Sequence, residues 1–192
     1  MGDKLSKSDM EVLVRNSKFT EEEIKEWHKG FMKECKTGKL TREQFRELFD
    51  KLFADTWFKK CPNGNSEAFC KHTFRAFDRD KNGLVDFKEF LIAVDVACSG
   101  TVEQKLEWSF RTFDINDNGT IDPAEMDAVI QAVYEMMGGD LDKAPAHAKK
   151  IFKKMDHDKD ARITKREFVK TCLKDKELYA LLTNQKEAAE ED

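Results

Sequence analysis

The sequence predicts an all-α protein built from four helix–loop–helix repeats arranged as two pairs. Apolar residues recur at helical spacing through most of the chain, and the alternation typical of strands is nearly absent. Proline is scarce, with three residues among 192, so few positions interrupt a helix. Between the apolar segments lie polar twelve-residue stretches rich in Asp and Asn, which predict the loops of the repeats.

Two of these stretches have the complete pattern of a calcium-binding EF-hand loop. Residues 78–89 read DRDKNGLVDFKE and residues 114–125 read DINDNGTIDPAE. Each has oxygen-bearing side chains at positions 1, 3 and 5, glycine at 6, an apolar residue at 8 and Glu at 12. The glycine allows the sharp turn that wraps a short loop around the ion. A solvated acidic turn would have to reproduce the whole pattern twice by chance.

The predicted Ca²⁺ ligands are the side chains of positions 1, 3 and 5, the backbone carbonyl of position 7 and the carboxylate of position 12. In the second repeat they are Asp78, Asp80, Asn82, Leu84 and Glu89, and in the third they are Asp114, Asn116, Asn118, Thr120 and Glu125. Asp86 and Asp122 at position 9 are expected to act through water. Aspartate at this position also predicts that Mg²⁺ competes at rest.

The fourth loop, residues 156–167 (DHDKDARITKRE), keeps the ligand set with one departure. Ala161 occupies position 6, where a left-handed backbone costs alanine roughly 1–2 kcal/mol. Such a cost weakens binding by about five- to thirtyfold, so we expect a third, weaker calcium site. Its predicted ligands are Asp156, Asp158, Asp160, the carbonyl of Arg162, and Glu167.

The first loop, residues 33–44, has the frame of the motif without its ligands. Gly38 stands at position 6 and Leu40 at position 8, but Lys33 replaces the first carboxylate and Gln44 replaces the last. An ammonium group at position 1 repels a cation, so this hand is predicted not to bind.

The non-binding hand is expected to persist as a structural partner. Hands pair through the backbone at position 8, which predicts two short antiparallel contacts. The predicted pairs are Leu40 with Val85 and Ile121 with Ile163.

Apolar spacing and capping residues predict the helices around the loops. Thr20, followed by three glutamates, predicts the start of the first entering helix, and Pro123 suits the first turn of the helix after the third loop. A hinge is expected at Gly100, because glycine tolerates the backbone change of a swivel. The predicted divisions are an N-terminal segment 1–18, a first pair 19–98, a hinge 99–102, a second pair 103–183 and an acidic tail 184–192.

Composition excludes several classes of function. With 34 Lys/Arg against 38 Asp/Glu and no run of four basic residues, nucleic acid is not an expected partner. No apolar stretch is long enough to span a membrane, and the polar, charged first residues lead us to expect no signal peptide. Five scattered cysteines predict reduced thiols in the cytoplasm. No phosphate loop, nucleophile elbow or paired-histidine motif is present, so we expect no enzyme.

The first six residues, MGDKLS, fit the pattern in which Met is removed and Gly2 receives myristate. Asp3 is unusual beside an acylated glycine, and an ordinary disordered terminus is the alternative.

Four segments largely outside the loops carry a family resemblance: EWHKGFMKE at 26–34, GTVEQKLEWSF at 100–110, AVYEMMG at 132–138 and KIFKKMD at 150–156. They resemble the neuronal calcium sensor family, which includes frequenin, hippocalcin, neurocalcin, visinin and recoverin. The resemblance runs from about residue 19 to residue 182. The non-binding first loop has Cys35-Lys36-Thr37-Gly38 where the family usually has Cys-Pro-x-Gly. This difference indicates a divergent member.

This resemblance implies two hand pairs in one compact molecule, an N-terminal myristoyl switch on Gly2, and a groove on the N-terminal pair that accepts a helix of a target protein. By helical periodicity alone, Trp27, Phe31, Phe49 and Leu52 would be ordinary core residues. The groove residues implied are Trp27, Phe31, Phe45, Phe49 and Leu52.

The sequence therefore predicts a cytoplasmic calcium sensor that exposes an apolar groove when calcium binds, with membrane association if Gly2 is acylated. The position-12 glutamates are expected to reach the ion as the exit helices move, which pulls the helices of each hand apart. A calcium buffer is one alternative. The other is a constitutive regulatory subunit of a phosphatase, cyclase or channel.

Overall fold

The computed structural model describes residues 5–53 and 64–183, and these form ten α-helices and four two-residue strands. Within these ranges no helix is long and apolar enough to cross a membrane. The result confirms the predicted all-α fold of four EF-hands in two pairs. The elements are α1 Lys7–Asn16, α2 Glu21–Glu34, β1 Lys39–Leu40, α3 Arg42–Phe53, α4 Glu67–Phe77, β2 Val85–Asp86, α5 Phe87–Ser99, α6 Val102–Phe113, β3 Thr120–Ile121, α7 Pro123–Met136, α8 Ala144–Met155, β4 Ile163–Thr164, α9 Lys165–Lys174 and α10 Lys176–Thr183.

The predicted pairing of the loops is confirmed in both halves. Leu40 lies opposite Val85 in the antiparallel pair β1–β2, and Ile121 lies opposite Ile163 in β3–β4. All four side chains are buried, so each strand contact also closes the core of its pair. The ligand-poor first hand thus supplies the partner strand of the second.

Helix starts follow the capping chemistry of the sequence. Thr20 accepts a hydrogen bond from the Glu23 amide, and the Glu23 carboxylate accepts one from the Thr20 amide, as predicted for the start of α2. Pro123 is the first residue of α7, where its missing N–H costs nothing.

Helix α1 was not predicted; the sequence analysis placed only an N-terminal segment there. Ser6 caps it by accepting from the Asp9 amide, and Leu13 is fully buried in the N-terminal core. Lys88 of α5 forms an ion pair with Asp9 at 3.2 Å. The helix therefore covers the N-terminal pair, packing against α2 and α5.

Two hydrophobic cores lie beneath the two pairs. The N-terminal core gathers aromatic residues of α2, α3, α4 and α5 with Leu13 of α1. The C-terminal core is built around Met126 and Phe168 and is extended by Leu178 and Tyr179 of α10. Each pair consequently has its own buried support, while α4 packs against α6 and α7 and joins the two.

Gly100 separates α5 from α6, but its backbone has an ordinary negative φ of −66°. A Cβ atom there would lie 2.4 Å from the Val96 carbonyl oxygen. Glycine is therefore required by this close approach rather than by a left-handed turn. The hinge function stays a prediction.

Candidate metal centres

Each acidic loop is positioned by the end of one helix and the start of the next. Asp78, Asp114 and Asp156 at position 1 are also the C-caps of α4, α6 and α8, and each donates its amide N–H to the carbonyl four residues earlier. At position 12, Glu is the third residue of the exit helix in all three hands. The first and last ligand positions are thus attached directly to the two helices of each hand.

The backbone inside each loop turns left-handed at two places. At position 6 the φ values are +81° for Gly83 and +84° for Gly119, and Ala161 takes +64°. The prediction that alanine is forced into this region is confirmed. Since L-residues are disfavoured there, the fourth loop pays a conformational cost that the other two avoid.

Hydrogen bonds orient the first ligand of the second loop. Asp78 Oδ1 accepts from the Asn82 amide at 3.0 Å, and Oδ2 accepts from the Gly83 amide at 2.9 Å. Asn82 Oδ1 accepts from the Leu84 amide at 2.9 Å. These bonds curl the chain so that the polar side chains face one centre.

The third loop repeats this arrangement. Asp114 accepts from the Asn118 and Gly119 amides at 3.0 and 2.9 Å, and Asn118 Oδ1 accepts from the Thr120 amide at 2.9 Å. Asn116 stands where the second loop has an aspartate, so this centre carries fewer carboxylates. Its amide oxygens still suit a hard cation.

Carboxylate oxygens converge in the second and fourth loops. Ligand atoms of Asp78, Asp80 and Glu89 all lie within 4.8 Å of one another, and the same holds for positions 1, 3 and 12 of the fourth loop. Three carboxylates so close repel one another unless a cation lies among them. These acidic groups are arranged to hold a metal ion, and the oxygen-only donor set suits calcium.

The fourth loop contains an unsatisfied acceptor. Asp156 Oδ2 accepts from the Ala161 amide at 3.2 Å, whereas Oδ1 is buried without a hydrogen-bond partner among the described residues. A buried, partnerless carboxylate oxygen is costly. A metal ion bound at this loop would satisfy it, so the donor set fits despite the alanine.

The position-12 glutamates already lie at their loops. Glu89 Oε1 accepts from the Arg79 and Asp80 amides at 2.8 and 3.3 Å. Glu125 Oε1 makes the equivalent bonds to the Ile115 and Asn116 amides at 2.9 and 3.0 Å. In this structure the position-12 carboxylate of each of these two hands therefore contacts the backbone at the start of its loop. Movement of the exit helices on calcium binding stays a prediction.

Position 9 has a structural role that the sequence analysis missed. Asp86 Oδ1 accepts from the Glu89 amide at 2.9 Å, and Asp122 Oδ1 accepts from the Glu125 amide at the same distance. Each aspartate is the N-cap of its exit helix and forms a capping box with position 12. The sequence feature that indicates this capping role is an Asp followed three residues later by a Glu.

Glu167 shows how such bonds prepare a ligand. Burial raises the pKa of the Glu167 carboxyl group. Hydrogen bonds from the Thr164 amide and hydroxyl and from the His157 amide together lower this pKa by more, so the net shift is downward. The carboxylate is therefore ionised at neutral pH.

In the first loop, side chains form hydrogen bonds with the backbone of the loop itself. Lys33, at position 1, is still inside α2, and the Cys35 thiol donates to the Lys39 carbonyl at 2.9 Å. Gln44 at position 12 accepts from the Thr41 amide at 3.0 Å, which caps α3. Carboxylates are missing from positions 1, 3 and 12, as the sequence showed.

Arg75, in the last turn of α4, connects the second hand to the third. Its guanidinium donates to the Arg111, Thr112 and Asp114 carbonyls at 3.1, 2.8 and 2.5 Å. These carbonyls close α6, where the helix dipole favours a cation. Burial lowers the pKa of Arg75, while carboxylates of the third loop oppose the shift. Arg75 thereby connects the helix that enters the second loop to the backbone at the start of the third loop, which belongs to the other pair.

A cleft of about 640 Å³ opens between α2, α3 and α5. Its apolar lining is Trp27, Phe31, Leu48 and Phe90. Leu48 and Phe90 were not among the predicted groove residues, although Leu48 follows Phe45 at helical spacing.

Of the remaining predicted groove residues, Phe45 and Phe49 are not part of this lining. Phe45 is only 3% exposed and packs edge-on against Phe74 and Phe77 in the N-terminal core. Phe49 is half-buried against the same core. The side chain of Leu52 and the whole of Gly2 lie outside the described residues. The role of these positions in target binding or lipidation stays a prediction.

Comparison with known proteins supports the same assignment of the fold. Two family models, each described as an EF-hand domain pair, match residues 36–96 and 103–173. Recoverin from Homo sapiens is 34% identical over 186 residues, covering 93% of this chain and 89% of recoverin. Neuronal calcium sensor 1 from Aplysia californica is 40% identical over 186 residues, covering 94% and 93% of the two chains. The protein of the same name from Lymnaea stagnalis is 39% identical.

Replacing Ala161 with glycine is expected to strengthen calcium binding at the fourth loop by about five- to thirtyfold, because it removes the left-handed penalty of roughly 1–2 kcal/mol. Isothermal titration calorimetry checks this. Gly83→Ala is the matched reverse change, and it is expected to weaken the second site by a similar factor. Equal affinities for the wild type and the Ala161→Gly variant would contradict the strain argument.

Proposed function

The chain belongs to the neuronal calcium sensor family of EF-hand proteins, and from this premise we propose that calcium binding exposes its N-terminal cleft to a helix of a target protein. Its relatives include proteins named as calcium sensors. The chain is accordingly a calcium-sensing regulatory protein and not an enzyme.

The observation that carries the proposal is the adjacency of Glu89 and Phe90. Glu89 is the last of the ligands predicted for the second loop, and Phe90 is the next residue of α5 and lines the cleft. Phe90 also contacts the rings of Trp27 and Phe31, with centroids 6.1 and 5.2 Å away. A small rotation of the first turn of α5 therefore changes the cleft directly.

When bound, Ca²⁺ supplies a positive centre that favours whichever conformation brings the most carboxylate oxygens to it. The residues proposed to hold it are the ligands predicted from the sequence in the second, third and fourth loops. Glu89 gives up its hydrogen bonds from the Arg79 and Asp80 amides, and the start of α5 follows the carboxylate. Mg²⁺ competes for the same oxygens at rest.

The rim of the cleft indicates the chemistry of the target. Glu23, Glu26 and Glu34 lie around the apolar lining with one lysine, Lys33. Glu34 is partly neutralised by an ion pair with Lys51. An amphipathic helix with basic residues beside its apolar face suits this rim, because opposite charges steer the encounter.

A cytoplasmic location is proposed from the thiols. Cys35, Cys70, Cys98 and Cys172 are free, and Cys61 lies outside the described residues. Burial raises the pKa of Cys70 and of Cys172 to about 12, which keeps both thiols protonated and unreactive.

Gly2 is proposed to carry myristate, on the strength of the terminal sequence and the family. One such chain gives only marginal membrane binding, near 10⁴ M⁻¹, which suits reversible attachment. Mass spectrometry of the protein co-expressed with the acyltransferase is expected to show the added lipid. An unmodified mass would remove the membrane switch from the account.

Calcium is expected to raise the fluorescence of an apolar dye bound to the wild type, with a midpoint on the order of 10⁻⁷–10⁻⁵ M. Glu89→Gln is expected to lose most of this rise, because the ligand that drives α5 is weakened. Glu177→Gln, the same change on an exposed residue of α10, is the control and should behave as the wild type.

Two results would contradict the proposal. Calcium binding without any change in the dye would indicate a buffer. Strong dye binding that is equal in calcium and in chelator would indicate a constitutive regulatory subunit.

A further inference from the structure

The fourth hand has a concentration of positive charge that the composition of the whole chain conceals. Residues 143–176 contain twelve Lys/Arg and five Asp/Glu, a net charge of +7, although the whole chain has a net charge of −4. Four of the five acids are side-chain ligands predicted for the loop. The exposed charged side chains of α8 and α9 are therefore all basic.

The lysines of α8 all lie on its outer face. At 100° per residue, Lys149, Lys150, Lys153 and Lys154 fall within an arc of about 140°. The four side chains are exposed, while the large apolar residues Ile151, Phe152 and Met155 of α8 are buried in the core. Folding thus places on one surface lysines that never form a run of four in the sequence.

The exposed face of α9 combines charge with an apolar side chain. Lys165 and Lys174 mark the two edges of an arc of about 180°, and Arg166 and Lys170 lie within it. Leu173, which is 49% exposed, is near the middle of the same arc. A membrane surface can accommodate this combination, because anionic headgroups attract the basic side chains and the headgroup–acyl boundary accepts the leucine.

Most of these charges have no acidic partner. Lys154 pairs with Asp175, at the junction of α9 and α10, and Lys165 lies 3.9 Å from Glu107. Across the part of the chain that the structure describes, the other basic residues of the two arcs form no ion pair. The unpaired residues are Lys149, Lys150, Lys153, Arg166, Lys170 and Lys174.

We propose that the surface formed by the basic residues of α8 and α9, hereafter the basic face, binds membranes that contain anionic phospholipid. The contact between Lys154 and Asp175 brings the end of α8 to the end of α9, so the two arcs meet there. A fluid layer of anionic headgroups can neutralise dispersed ammonium groups without matching their shape. Leu173 would enter the boundary between headgroups and acyl chains.

A protein partner fits the basic face less well. Lysine is depleted in protein–protein interfaces, whose centres are apolar and enriched in aromatic residues and Arg. Here seven of the eight basic residues on α8 and α9 are lysines, and Leu173 is the apolar residue exposed among them. This composition favours lipid. The basic face also shares no residue with the cleft proposed for the target helix.

The full chain, produced without the acyltransferase so that Gly2 carries no lipid, is mixed with two kinds of vesicle and sedimented. One kind is pure phosphatidylcholine and the other contains about one third phosphatidylserine. The measurement is made in calcium chelator, so it does not depend on the proposed calcium response. Binding is expected only to the anionic vesicles, and raising salt from about 0.1 M to about 0.5 M is expected to weaken it strongly.

The test variant carries Arg166→Gln, Lys170→Gln and Lys174→Gln. Each charge near an anionic surface strengthens binding by roughly fivefold, so the triple change is expected to weaken it on the order of a hundredfold. The control variant carries Lys29→Gln, Lys36→Gln and Lys39→Gln, which change the net charge equally on exposed residues of the first hand. Its binding is expected to match the wild type, and circular dichroism verifies that both variants are folded.

Three results would overturn the proposal. The first is wild-type protein that fails to sediment with anionic vesicles, and the second is equal weakening by the two variants. The third is binding to polyglutamate without binding to phosphatidylserine vesicles, which would assign the basic face to an acidic protein.

Discussion

The attachment of one carboxylate to both a loop and a helix is the constraint on which the rest of the structure depends. Glu89 accepts hydrogen bonds from the amides at the start of its loop, and it is also the third residue of α5. The first turn of α5, which carries Glu89, also carries Phe90 in the lining of the cleft. In the proposed function, calcium binding at this oxygen-lined loop would move the first turn of α5 and so change the apolar cleft, as a sensor requires.

The architecture around this carboxylate is arranged to keep the loops in register. The first hand has lost its ligands but keeps β1, which pairs Leu40 with Val85 beside the second loop. Arg75 and the edge-on contact of Phe77 with Trp108, 5.5 Å between centroids, fasten the second hand to the third. A loop of one pair cannot be displaced far without disturbing the other pair.

Local patterns predicted a large part of the fold, because EF-hand loops fix their own geometry. The positions of Thr20 and Pro123 at helix starts and the left-handed Ala161 follow from chemistry within a few residues. The strand partners are distant in sequence, and they could be predicted because each occupies position 8 of a repeated loop. Features that depend on tertiary contact were missed. Helix α1 is held by burial of Leu13 against other helices, and Arg75 finds its acceptors 36 to 39 residues away. No local pattern encodes such contacts.

The central claim is that the acidic loops bind calcium, and direct titration of the purified chain in a calorimeter tests it. The account predicts two tight sites, with affinities on the order of 10⁻⁷–10⁻⁵ M, and a weaker third. Tryptophan fluorescence should change over the same calcium range, since Trp27 contacts Phe90. A chain that shows neither heat nor a spectral change in micromolar calcium would contradict it.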